Sequence, residues 1–179
     1  MLRDNKIARI RIARVALVAV ASLGAGGCGF ELAGSGSLPG VMATTYLQAA
    51  EPSSEFFGSM REALRARGLE VVDSPDEAGA RLIISEDSTG QRVLSVSARN
   101  TPREYEIFYV VTFSLQAGSE QLMDPQSLAV TRSYTYDETE VLGKSREERV
   151  LRQALADDLA RQVVRRIQAL ASATRTPVG

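Results

Sequence analysis

Residues 104–118 read EYEIFYVVTFSLQAG, and the period of that stretch decides the fold. Tyr105, Ile107, Tyr109, Val111, Phe113 and Leu115 fall on alternate positions, the pattern of a strand with one face against a core. An aromatic stripe at this spacing reads as a core face rather than a ligand platform. Upstream, residues 80–87 (ARLIISED) and 91–98 (QRVLSVSA) flank Ser88-Thr89-Gly90, which predicts a hairpin turning at those three residues. Downstream of Gly118 and Ser119, the segment from Ser127 to Tyr136 alternates again, with Leu128, Val130, Tyr134 and Tyr136 to one side. Arg132 interrupts that side, either as a paired arginine near a sheet end or as a charge facing a ligand.

Helical periods bracket this sheet. Val41 to Leu47 reads as a first strand. Ser53 or Ser54 then caps a helix running to about Arg67, with Phe56, Phe57, Met60, Ala63 and Leu64 on one face and Gly68 at its C′ position. Leu69 to Val72 follows as a short strand, completing a β-α-β start. From Ser145 to about Ala173 the period is helical, with a stripe of Val150, Leu151, Ala154, Leu155, Leu159, Val163, Ile167 and Leu170. Ser145 and Glu148 have the spacing of a capping box. The fold class is α/β in the α+β sense: a two-layer sandwich of two helices on a mixed, mostly antiparallel sheet of four to five strands.

Composition excludes several chemistries. The 179 residues hold one cysteine and no histidine, so there is no internal disulfide, no Ser-His-Asp triad and no His-based metal site, and no cofactor is implied. Catalysis by carboxylates or Lys is the remaining enzymatic option. Glu104 and Glu106 are close in sequence, but alternation puts both on the polar face of their strand, where a solvated edge accounts for them. The chain is read as a non-enzyme.

The single cysteine, Cys28, has a different context. Arg3, Lys6, Arg9, Arg11 and Arg14 precede VALVAVASLGAGG, an uncharged run too short for a membrane-spanning helix, which needs roughly twenty apolar residues. Ala25, Gly26 and Gly27 stand directly before Cys28 and resemble the lipobox of bacterial lipoproteins, although Ala25 occupies the position where the consensus prefers Leu. That resemblance implies cleavage before Cys28, a thioether-linked diacylglycerol on its thiol and an acylated amine, with Gly29 directing the product to the outer membrane. Acyl chains contribute about 0.8 kcal/mol per buried CH₂, so several of them make a permanent tether.

The expected organisation is a signal segment at 1–27, a lipidated N-terminus and linker at 28–40, one domain at 41–173 and a short tail at 174–179. Removing residues 1–27 leaves 16 basic against 21 acidic residues. Such a domain lacks the positive footprint of nucleic-acid binding.

Taken in order, Cys28-Gly29-Phe30-Glu31-Leu32, then Leu38-Pro39, the strand Tyr105 to Leu115 after an Arg-Asn loop, and Arg132-Ser133-Tyr134 leading to Asp137, Leu142 and Lys144 before a long helix, resemble the LptE family of lipopolysaccharide-assembly lipoproteins. The resemblance implies a non-enzymatic partner of the outer-membrane β-barrel LptD, lying largely inside the barrel as a plug and helping it deliver lipopolysaccharide to the outer leaflet. It also implies that basic residues contact lipopolysaccharide. The candidates here are Arg99 and Lys144, with Arg103 as a third: Arg99 and Arg103 bound the loop before the main strand, and Lys144, the only lysine after Cys28, precedes the final helix. Solvated loop charges are the plainer account of Arg99 and Lys144. A lipid-anchored periplasmic binding or scaffold module for another partner is the alternative function.

Overall fold

A computed structural model describes residues 38–135 and 141–175. Cys28, Tyr136, Asp137 and residues 176–179 lie outside the described residues. Strands β1 (Thr44–Ala49), β2 (Glu70–Val72), β3 (Ala80–Val96), β4 (Pro102–Ala117) and β5 (Glu120–Thr135) form one sheet in the order β2-β1-β3-β4-β5. Helices α1 (Glu55–Arg65) and α2 (Val141–Arg175) pack on each other and on one face of it. β1 runs parallel to both β2 and β3, whereas β3–β4 and β4–β5 are long antiparallel ladders. The sandwich expected from the periodicity is the one observed, with five strands.

β4 behaves as its pattern dictates: Ile107, Tyr109, Val111, Phe113 and Leu115 are buried on the helix side. Across that layer stand Phe56, Met60 and Leu64 of α1 and Leu155, Leu159, Val163 and Ile167 of α2. At roughly 3.3 Å per residue β4 spans about 53 Å, and at 1.5 Å per residue α2 spans about 52 Å, and α2 packs against both β4 and β5.

α1 is bracketed as its sequence predicts. Ser54 Oγ accepts from Phe57 N at 3.0 Å, capping the first turn. At the other end Gly68, at φ +77°, donates to Arg65 O and Leu69 N donates to Leu64 O, a Schellman closure that a side chain at residue 68 would strain. A partly buried polar network ties the helix start to the sheet. Tyr109 Oη donates to Asp87 Oδ1 at 2.8 Å and accepts from Phe56 N at 3.2 Å, while Ser54 Oγ donates to Asp87 Oδ2 at 2.5 Å. Burial, then the hydrogen bond to Asp87, pushes the Tyr109 phenol well above its ordinary value.

Four expectations need correction. The first strand begins at Thr44, because Gly40–Ala43 winds into a 3-10 turn whose Val41 carbonyl lies against Gly79; a Cβ there would sit 2.4 Å from that oxygen. Ser88-Thr89-Gly90 makes no turn, since β3 runs straight through it. Gly90 pairs with Phe108, and its missing Cβ leaves room for the Phe108 ring, which a Cβ would meet at 2.6 Å. The final helix starts at Val141, so Ser145 lies inside it, and Glu148 pairs with Arg152 one turn on rather than closing a capping box. Val150 is 62 % exposed: the buried neighbours 155/156, 159/160 and 163/164 centre the apolar face away from it.

Candidate functional site

At one end of the sheet β3 and β4 close in a hairpin tip, with β5 beside β4 as far as Thr135. Its turn lies at Ala98-Arg99-Asn100. Asn100 N donates to Ser97 O at 2.9 Å, Ser97 N donates to Thr101 O at 2.7 Å, and Asn100 adopts φ +63°. These are the marks of a three-residue hairpin loop ending in a left-handed residue, a conformation asparagine tolerates better than most. Ser97 Oγ and Thr101 Oγ1 lie 2.7 Å apart, and Ser97 Oγ also accepts from the backbone N–H groups of Arg99 and Thr101 at 3.3 Å. Arg99 therefore stands exposed at the apex of a well-bonded turn.

The loop predicted over Arg99 to Arg103 is shorter than expected: Pro102 and Arg103 already belong to β4. Arg103 is exposed near the foot of the turn. The acids beside it are engaged, Glu106 with Arg92 and Glu104 as acceptor from Ser95 Oγ at 2.9 Å. Among the described residues Arg99 and Arg103 have no ion-pair partner. Both glutamates lie on the open face of the sheet, as the alternation requires.

Antiparallel pairing brings the end of β5 beside the start of β4, with Glu104 opposite Thr135 and Tyr105 opposite Tyr134. The two tyrosine rings stack at 5.7 Å between centroids. The start of α2 comes to the same end. Burial first, then the charge of Glu148, raises the Tyr134 phenol above its ordinary value, which places Glu148 within electrostatic reach of that ring. Lys144 stands one turn before Glu148, inside the first turn of α2 rather than ahead of the helix, and its side chain lies outside the described residues. Arg132 is exposed opposite Ile107 and has no ion-pair partner among the described residues.

The structure adds what the sequence did not point to: Val93, Leu94 and Val96 are 48 %, 48 % and 54 % exposed on the same tip as Arg99 and Arg103. Aliphatic residues on a strand read as core, and here they stand in solvent beside the closing turn. The only available signal was the Arg-Asn loop, which places the turn ten residues later than Gly90. Arginines with forked donors beside exposed aliphatic side chains suit an amphiphile with an anionic head and an apolar body. No helix among the described residues is long and apolar enough to cross a membrane.

The profile of the family described as "LptE: Lipopolysaccharide-assembly" matches residues 42–167. The chain is similar to the LPS-assembly lipoprotein LptE of Yersinia enterocolitica, 27 % identical over 154 residues that cover 84 % of this chain and 73 % of the relative. Its likeness to the LPS-assembly lipoprotein LptE of Pectobacterium atrosepticum is 25 % over 144 residues, covering 79 % and 77 %. Among solved structures, the solution NMR structure of an uncharacterized lipoprotein B from Nitrosomonas europaea superposes with a TM-score of 0.67 at 26 % identity, covering 81 % of this chain and 94 % of that one. The crystal structure of the rare lipoprotein B from Shewanella oneidensis gives 0.60 at 25 %, covering 73 % and 96 %.

Proposed function

Because the chain belongs to the LptE lipopolysaccharide-assembly family, we propose that it is an outer-membrane lipoprotein that works, without catalysing a reaction, as plug and assembly partner of an LptD-type β-barrel. Residues 1–27 are the signal segment, Cys28 is the lipidated first residue of the mature protein, residues 28–40 are its lead-in, residues 41–173 are the working domain and residues 174–179 are a tail. What supports the tether is the basic and apolar leader ending in small residues before the chain's only cysteine. Palmitate labelling and intact mass test it: a mature chain that begins at Cys28 and carries lipid is expected, and an unlipidated one, or one retaining residues 1–27, overturns it.

The hairpin tip carries the functional reading. Arg99, Arg103 and Lys144 meet the phosphates of lipopolysaccharide, and Val93, Leu94 and Val96 lie against its acyl chains. Supporting this are guanidinium groups without an ion-pair partner among the described residues, beside exposed aliphatic side chains, at the end of the sheet where β4 begins, β5 ends and α2 starts. Reversing charge with Arg99→Asp and Lys144→Asp should weaken lipopolysaccharide binding and flatten its salt dependence. Melting temperature and one-to-one co-purification with the barrel should be unchanged. Obligate interfaces commonly bury more than about 2,000 Å², so that association should survive mild detergent. Unaltered binding by the double variant makes these ordinary surface charges. Normal barrel assembly after depletion of the protein removes the plug reading and leaves the scaffold alternative.

A further inference from the structure

At the end of the sheet opposite the hairpin tip lies a groove of about 680 Å³. Its walls are Leu38, Pro39 and Val41 from the lead-in to β1, Leu122 from β5, and Leu170 and Ala171 from the last turns of α2. The volume is that of a small-molecule site, for which about 300–1,000 Å³ is usual. The lining, however, lacks the convergent polar groups that orient a polar ligand. Its one amide side chain, Gln121, is already engaged, donating to Leu115 O and Met123 O and accepting from Gln116. Val41 is 45 % exposed in the wall. Among the described residues Glu120 is the one charged side chain at the groove.

We propose that this groove holds an acyl chain of a bilayer phospholipid, with a zwitterionic, ammonium-bearing head group such as phosphatidylethanolamine set against Glu120. The inference rests on the tether of the proposed function. Leu38, where the described chain begins, is itself a wall and stands ten residues after Cys28, so the mouth is held within about 36 Å of the anchor even if the intervening chain is fully extended. Charge separates the occupant from lipopolysaccharide. A carboxylate at the mouth disfavours a head group that carries only negative charge and is answered by the ammonium of a zwitterionic one, whereas Arg99 and Arg103 lie at the far end of β4, about 50 Å away at the rise of a strand. One end of the sandwich is thereby fixed to ordinary phospholipid while the other is presented to lipopolysaccharide. That separation is comparable to the 40–45 Å thickness of a bilayer with its head groups.

The test uses the mature chain, residues 28–179, and phosphatidylethanolamine carrying a photoactivatable group in its acyl chain. Cross-linking in vesicles, with the labelled residues mapped by mass spectrometry, should concentrate on Leu38, Val41, Leu122 and Leu170. Val41→Asp should reduce labelling at least fivefold, Val41→Ile should retain it, and Glu120→Lys should shift preference toward phosphatidylglycerol. Flotation of the lipidated chain with vesicles reads the tether alone. Labelling of a Cys28→Ser chain by a short-chain version of the probe in solution reads the groove alone, so the two failures are distinguishable. Label centred on Val93, Leu94 and Val96, label that excess lipopolysaccharide displaces more readily than phosphatidylethanolamine does, or groove residues protected by the chain's own N-terminal residues would each overturn the proposal. The residue map of the unsubstituted chain decides it even if Val41→Asp does not fold.

Discussion

The two ends of β3 belong to one strand and one ladder, yet they are held by different forces. From Ala80 to Ile84 every second side chain is buried, facing Leu115 and Phe113 of β4 beneath the helices. From Gln91 to Val96 the side chains are exposed or half-exposed, and pairing with β4 continues all the same, with register shifts near Ser95. The inner end is specified by burial, where a one-residue slip would turn the apolar set toward water. The outer end is specified by the turn that closes it and by cross-strand bonds. An end with no core to satisfy is free to carry Val93, Leu94, Val96 and Arg99 in the open.

The largest effect that separates the two ends comes from the core. Phe113 is fully buried between β3 and β5. Phe113→Ala should cost about 3–5 kcal/mol, from lost transfer energy and the cavity left behind. Equilibrium urea unfolding measures it. A loss below about 1 kcal/mol would mean that the inner end is no better packed than the outer.

Next comes the network where the two regimes meet. Tyr109→Phe removes the donor to Asp87 and the acceptor of Phe56 N, leaving buried polar groups short of a partner, and should cost about 1–3 kcal/mol. Its pH signature is specific. The folded state holds the phenol protonated beyond the ordinary value of 10.0, so the unfolded chain releases that proton first. Stability is then fully present below pH 10 and declines as pH rises beyond it, by up to about 1.4 kcal/mol per pH unit. Tyr109→Phe should make that alkaline decline shallower by as much as one proton. An unchanged slope would place the proton elsewhere.

The same contrast explains what the sequence disclosed. β4, both ends of α1 and the face of α2 from Leu155 to Ile167 were legible because burial imposes a period and capping imposes residue types at fixed offsets. Gly90 misleads about the turn because glycine does two jobs. At Gly90 it makes space for a ring 18 residues away, a tertiary contact that no local pattern contains, whereas the actual turn relies on Asn100, a weaker signal than glycine. Val93, Leu94 and Val96 resemble core residues, and nothing in their local pattern shows that they stay in solvent. Of the candidate cations, Arg99 was locatable as a loop residue. Ser145 and Glu148 imitate a cap, which puts Lys144 outside a helix that in fact begins three residues earlier, at Val141.

If the outer end is held by its turn, the turn should be sensitive where the exposed side chains are not. Asn100→Ala puts a side chain with no local hydrogen bonding at φ +63° and should cost about 1 kcal/mol, with Asn100→Gly close to neutral. Hydrogen exchange should show the loss as faster opening of residues 91–105 while the amides of 80–84 stay protected. Equal acceleration at both ends would mean that the hairpin unfolds only with the whole domain.

The smallest effect is the sharpest test of the contrast. Leu94 is 48 % exposed and lies at the irregular register between Val93 and Ser95. Substitutions at such positions usually change stability by less than about 0.5 kcal/mol, so Leu94→Ser should unfold at the same urea concentration as the parent chain. A core leucine at the same place in a strand would not behave so. If Leu94 is kept exposed for an apolar ligand, Leu94→Ser should instead weaken lipopolysaccharide binding, measured on the same sample, with the melting temperature unmoved. Loss of stability above about 1 kcal/mol would show that the tip has a packed interior of its own. Unchanged stability together with unchanged binding would return the tip to plain solvent-exposed strand and leave Arg99 and Arg103 as its only functional chemistry.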